Sequence, residues 1–203
     1  MLFMSCLAFV FGAAVGSFLN VCIFRLPLKT SIIKPASRCP HCLVPLKYYD
    51  NVPLISFIIL RGKCRNCGGK ISWRYPLVEL LTAVFSLMLF LKFGLTMEFL
   101  AYFVFFAVLI VITFIDLDHQ IIPDIISLPG IPVFFLAAVF LVGMPWKEAL
   151  LGILIGGGVL LAIALGYELL TKREGMGGGD IKLLAMIGGF LGWKSLLFVL
   201  LFA

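Results

Sequence analysis

The sequence predicts an all-α polytopic membrane protein, with about six transmembrane helices and one small cytoplasmic loop domain between the first and the second. Three observations carry this expectation. Of the 203 residues, 63% are hydrophobic and only 13% charged, where soluble domains are nearer half apolar and a quarter charged. Six apolar runs, about 2–24, 76–92, 98–115, 126–143, 148–170 and 181–203, approach the ~20 residues that cross a bilayer core of roughly 30 Å. Ten of the sixteen basic residues fall within 25–75, against the single acid Asp50.

The first run has no basic region before it and continues into a polar loop, so it reads as a helix and not as a cleaved signal peptide. The basic stretch is placed in the cytoplasm by the positive-inside rule, which leaves the N-terminus outside. Alternation then makes 92–97 and 143–147 short outer turns and returns 116–125 and 171–179 to the cytoplasmic face, the latter with Lys172 and Arg173. The domain reading is 1–24 as the first transmembrane helix, 25–75 as the cytoplasmic loop domain and 76–203 as the remaining membrane domain. The net charge of +6 is thereby topological: the expected partner is the lipid bilayer, and nucleic acid is not expected. Gly12/Gly16 and Gly152/Gly156 have the small-xxx-small spacing that lets membrane helices approach closely. The last run stops in apolar residues with no anchor after it, which reads either as a span ending flush at the outer surface or, the reading preferred, as a C-terminally truncated chain.

Chemistry enters at three places. Cys39-Pro-His-Cys42 and Cys64-Arg-Asn-Cys67 are two C-x2-C knuckles with 21 residues between them. The short bite suits a tetrahedral thiolate site, so Cys39, Cys42, Cys64 and Cys67 are expected to hold one structural zinc ion. A reducing cytoplasm disfavours two disulfides instead. His41, inside a knuckle, reads as a bystander, and Cys6 and Cys22 read as small apolar residues in the first span.

The second place is Asp116-Leu-Asp-His-Gln-Ile-Ile-Pro-Asp124. Seventeen mostly apolar residues run straight into Asp116, and an ionisable group at membrane depth is a functional candidate by default. Asp118 and His119 lie further towards water, and Asp118 is open to either a solvated or a functional role. Asp124, after Pro123, reads as a helix-capping acid.

The third is Gly177-Gly178-Gly179-Asp180. No Gly-Lys-Ser/Thr follows, so this is not a nucleotide-phosphate loop. Asp180 alone would read as an N-cap with a glycine hinge. The expected topology, however, puts Asp116 and Asp180 at one membrane face, and two carboxylates brought together cannot both ionise readily. They would divide into an acid and a base able to activate water, with Gly177, Gly178 and Gly179 as a side-chain-free approach for an extended peptide.

At this point the chain resembles the type IV prepilin peptidase family over essentially all of its length. The resemblance rests on "GSFLNVCIFRLP", "RCPHC", "DNVPLISF", "RGKCRNC", "ISWRYPLVE", "IDLDHQIIPD" and "GMGGGDIK", the last containing the family's Gly-x-Gly-Asp. It implies a bifunctional enzyme of the inner membrane serving pilus, type II secretion and competence systems. A catalytic pair Asp116/Asp180 would cut the short basic leader from prepilin or pseudopilin substrates after a glycine, at the cytoplasmic face. S-adenosylmethionine would then methylate the new N-terminus. No motif marks that cofactor's site; Glu79 and Arg74 are the candidates considered. Family members usually continue with further membrane helices. Two other classes fit parts of the pattern: a carboxylate-dependent ion or proton transporter, disfavoured because no mid-span acid continues a path, and a non-catalytic zinc-loop scaffold of a pilus or secretion assembly.

Overall fold

The computed structural model describes residues 2–34, 36–172 and 177–202; Arg173, part of the expected cytoplasmic return, lies outside them. The described residues form helices joined by turns and loops and contain no strand, with two isolated antiparallel bridges, Arg38–Pro45 and Lys63–Lys70. The helices are α1 (Leu2–Arg25), α2 (Ile55–Ile59), α3 (Arg74–Phe93), α4 (Met97–His119), α5 (Asp124–Phe140), α6 (Trp146–Thr171), α7 (Gly178–Leu191) and α8 (Trp193–Phe202). Four of them, α1, α3, α4 and α6, are long and apolar enough to cross a membrane.

Five of the six expected runs coincide with one helix each. The sixth, 181–203, does not stay whole. Gly192 adopts φ +80° and ends α7 with its N–H on the Gly188 carbonyl, so that α8 restarts at Trp193. A left-handed residue cannot continue a right-handed helix, and only glycine adopts it without steric cost. The run is therefore a 14-residue helix and a 10-residue helix. With 17 residues, α5 lies at the short end of what spans a bilayer.

The chain divides into two compact units, residues 1–119 and 120–203. In the first, α1 packs along α3 through glycine. A methyl group on Gly12 would come within 2.7 Å of the Ala83 backbone, and one on Gly16 within 2.7 Å of the Glu79 Cα. Ser86 Oγ, fully buried, donates to the Ala8 carbonyl at 2.7 Å. Asn20 Nδ2 donates to the Tyr75 carbonyl at 3.1 Å. Close backbone approach and interhelical hydrogen bonds are the terms that join helices where lipid removes the hydrophobic drive between them.

The second unit repeats the device. A Cβ at Gly152 on α6 would stand 1.9 Å from the Gly188 carbonyl oxygen of α7, and one at Gly156 would stand 2.6 Å from that of Leu184. Both small-xxx-small pairs thus sit at helix contacts.

Candidate metal centre and membrane-border acids

The two knuckles fold in the same way. In the first, the Leu43 amide donates to the Cys39 carbonyl at 2.9 Å and the Cys39 amide to the Val44 carbonyl at 3.0 Å. In the second, Gly68 donates to Cys64 at 2.9 Å and Cys64 to Gly69 at 2.8 Å. Each turn needs a left-handed residue just after its second cysteine; Leu43 supplies φ +58° and Gly68 φ +69°. The four Sγ atoms lie within 4.8 Å of one another, and Cys39 Sγ is 3.8 Å from Cys67 Sγ. A tetrahedron of thiolates around a metal with ~2.3 Å bonds has edges of roughly 3.8 Å. The quartet therefore fits one metal ion.

The thiols differ in acidity. Cys39 is drawn down to about 7, chiefly by the backbone amide of Cys42. The Gly69 amide pulls Cys67 the same way, but loss of water and the three neighbouring thiols outweigh it and push Cys67 up to about 11. A divalent cation binds the deprotonated form, so Cys39 is the thiol readiest to ligate and Cys67 one whose proton the cation must displace. His41 lies outside the quartet. Its ring covers Gly69, where a methyl group would come 2.7 Å from it, and its Nε2 is 3.3 Å from the Lys70 carbonyl oxygen. Elsewhere in the loop Arg65 holds Asp50 at 2.7 Å.

One tie fastens the loop to α3. Leu54, between Pro53 and α2, has φ +60° and ψ −48°, and the Ile55 amide reaches back to the Pro53 carbonyl at 2.6 Å. This is a strained γ-turn. Its Leu54 N–H donates to Glu79 Oε2 at 2.8 Å, and Glu79 is buried on α3. A buried carboxylate that accepts a backbone N–H both satisfies its own charge and over-determines the turn.

The acids at the membrane borders fall into two kinds. Asp118, on the last turn of α4, is ion-paired with Arg74 of α3. Asp124 is the first residue of α5, whose N-cap is Pro123, and it is held by Lys182 of α7 at 2.6 Å. It therefore sits in the first turn as expected, one place past the cap and in an ion pair. Asp116 on α4 and Asp180 in the first turn of α7 are exposed, and neither side chain has a hydrogen bond or ion pair among the described residues.

Asp116 belongs to the first unit and Asp180 to the second. Gly177 is the N-cap of α7, and Gly178, Gly179 and Asp180 begin it, so Asp180 is not the cap. Of the three glycines, Gly179 is under steric demand: a methyl group there would come 2.8 Å from Ile122 Cβ.

Sequence reasoning missed three contacts: Glu79–Leu54, Arg74–Asp118 and Asp124–Lys182. A signal existed for the first, because Glu79 is the only acid in α3, and a lone acid in a spanning helix marks a contact that must offset its burial. Of the two residues considered for S-adenosylmethionine, Glu79 accepts the Leu54 amide and Arg74 pairs with Asp118, while Arg74 Nε is buried without a hydrogen-bond partner among the described residues.

These features define a multi-pass membrane protein with a four-thiolate loop and unengaged carboxylates where apolar helices meet polar chain. Residues 10–93 match the bacterial peptidase A24 N-terminal domain, and residues 103–203 match the type IV leader peptidase family. The chain belongs to that family. It is 45% identical to a prepilin leader peptidase/N-methyltransferase of Myxococcus xanthus over 96% of this chain and 58% of the relative. It is 39% identical to proteins of the same name from Aeromonas hydrophila, over 96% of this chain and 76% of the relative, and from Neisseria gonorrhoeae, over 94% and 75%. The chain thus spans under two thirds of the Myxococcus relative's length and about three quarters of the other two. No solved structure matches it.

Proposed function

We propose that this protein is a membrane aspartyl endopeptidase that removes the short basic leader of prepilin-like proteins at the cytoplasmic membrane face, with Asp116 and Asp180 as its two carboxylates. One observation carries the choice of acids. Within 116–124 and 177–180, Asp118 and Asp124 are spent in ion pairs, whereas Asp116 and Asp180 have no partner among the described residues. A group that must exchange protons with substrate and water is kept out of structural salt bridges.

In the reaction, one protonated carboxylate polarises the scissile carbonyl. The other, ionised, takes a proton from the attacking water, a general-base contribution of about 10²–10⁴-fold. The pair titrates as a unit, so neither residue owns the proton. The border position suits the substrate, whose scissile bond lies between a polar leader and an apolar helix. Gly177, Gly178 and Gly179 leave the chain before Asp180 free of side chains beside that strand.

The metal is zinc, held by Cys39, Cys42, Cys64 and Cys67. It closes the loop and takes no part in cleavage. The second activity is N-methylation of the new N-terminal residue, for which S-adenosylmethionine supplies an electrophilic methyl group. The basic loop faces the cytoplasm.

Incubating purified protein with a synthetic prepilin in detergent tests this reading. Cleavage at the leader junction, lost in D116N and in D180N and retained in D124N, is expected. Activity of both variants at near the parent rate would sink it, and a dead D118N beside an active D116N would show that the wrong acid was chosen.

A further inference from the structure

A groove of about 820 Å³ opens between α2, the second knuckle and the start of α3, wholly within the first unit. Its depth follows from the Glu79 tie. With 20 residues and ~1.5 Å of rise per residue, α3 is about 30 Å long, the thickness of the hydrocarbon core. Glu79 lies five residues in from Arg74, roughly 7.5 Å along the helix. The Leu54 amide bonded to it therefore fixes α2 beside the first two turns of α3, level with the start of its apolar stretch.

The side chains suit that depth. Ile58 on α2 is 72% exposed and Trp73, just before α3, is 77% exposed. The Trp73 ring stands 4.8 Å from that of Phe57, and tryptophan is the residue of membrane interfaces. Leu77 and Leu80 line the groove and begin the exposed stripe Leu77, Leu80, Val84, Met88, Leu91, the lipid-facing side of α3. The groove's apolar wall is thus continuous with a surface that lipid tails cover.

Its other wall is cationic. Arg61, Lys63 and Lys70 line the same groove and are exposed, and none is ion-paired among the described residues. Lys63 and Lys70 stand opposite each other in an antiparallel bridge, where like charges repel and destabilise the pairing. An anion between them removes that repulsion. We propose that the groove is a binding site for an anionic phospholipid of the adjacent leaflet, its phosphate between Lys63, Lys70 and Arg61 and its acyl chain along Phe57, Trp73, Leu77 and Leu80. The loop would then be seated on the membrane through one specific lipid as well as through its net charge.

Trp73 reports on the groove directly. It is one of three tryptophans, so W146F/W193F isolates its fluorescence. The full chain is reconstituted in phosphatidylcholine vesicles that contain either phosphatidylglycerol or phosphatidylcholine with brominated acyl chains, at equal mole fraction. Brominated phosphatidylglycerol is expected to quench Trp73 at a concentration at least about fivefold lower, the factor set by ~1 kcal/mol for each basic residue near an anionic headgroup. K63Q/K70Q should abolish the preference and K63R/K70R should keep it. K34Q/K47Q, which removes the same charge outside the groove, should keep it too. Equal quenching by the two lipids overturns the proposal, as does a preference that survives K63Q/K70Q or is lost equally in K34Q/K47Q. Quenching by neither lipid, with Trp73 shielded from both, would mean that no lipid enters the groove and overturns the proposal as well.

Discussion

The four-cysteine loop and the two unengaged aspartates are assembled by different means. Each knuckle closes over six residues by its own backbone hydrogen bonds, and the two knuckles meet inside one compact unit. The aspartates stand 64 positions apart, one in each unit. The loop is a site whose geometry is made locally, while the acids depend on the placement of whole helices. The metal and the chemistry should therefore be separable by mutation.

The largest expected effect tests that separation. D116N and D180N keep side-chain shape and remove the charge, and each should lower prepilin cleavage by at least about 10²–10⁴-fold. The metal content, read by elemental analysis on the same preparations, should not move. Loss of metal together with activity would show that the two sites are not independent.

Next comes the converse. Cys→Ser at 39, 42, 64 or 67 removes one of four thiolates and should bring metal from about one ion per chain to well below it. It should also raise proteolytic sensitivity across 36–70. Cleavage should fall less than in the aspartate variants, because the acids lie on other elements. A cysteine variant as dead as D180N, with its helices intact, would make the metal loop part of the reaction.

The same contrast decides what was legible in the sequence. The quartet could be read because C-x2-C spacing fixes a local turn whatever surrounds it. The unengaged acids could be read as candidates because the chain turns polar beside them, and the end of the apolar run favoured Asp116 over Asp118 by only two residues. The ion pair that engages Asp118 comes from Arg74, 44 positions off, and no local pattern announces it. The break at Gly192 was hidden because 181–203 is apolar on both sides of it; the short stretch Gly192-Trp193-Lys194-Ser195 was its mark. Glu79 could be suspected as a lone acid, but its partner depends on the Leu54 γ-turn, which no pattern announces.

A smaller effect follows from that tie. Glu79→Ala leaves the Leu54 amide without its acceptor in a part-buried site, at a cost of about 1–3 kcal/mol. The cost should appear as faster amide exchange over 54–60, with metal content unchanged. Unchanged exchange there would mean that α2 is held by its apolar contacts alone.

The smallest effect separates the two knuckles themselves. Both need a left-handed residue after the second cysteine, and they differ in what supplies it: Leu43 at φ +58°, Gly68 at φ +69°. An L-residue with a side chain pays about 1–2 kcal/mol there, and glycine does not. Gly68→Ala meets open space, with nothing within 4 Å of the added methyl, so its cost is conformational alone. It should lower metal affinity by roughly fivefold, the equivalent of ~1 kcal/mol. Leu43→Gly removes the strain and gives up little burial, since Leu43 is largely exposed. Glycine also adds freedom to the unfolded chain, worth about 0.5–1 kcal/mol in the other direction. The net should be a gain of under ~1 kcal/mol, opposite in sign to Gly68→Ala. Chelator competition on the two variants reads both signs, and a loss of affinity in Leu43→Gly would mean that the Leu43 side chain holds the first knuckle in a way the second does without.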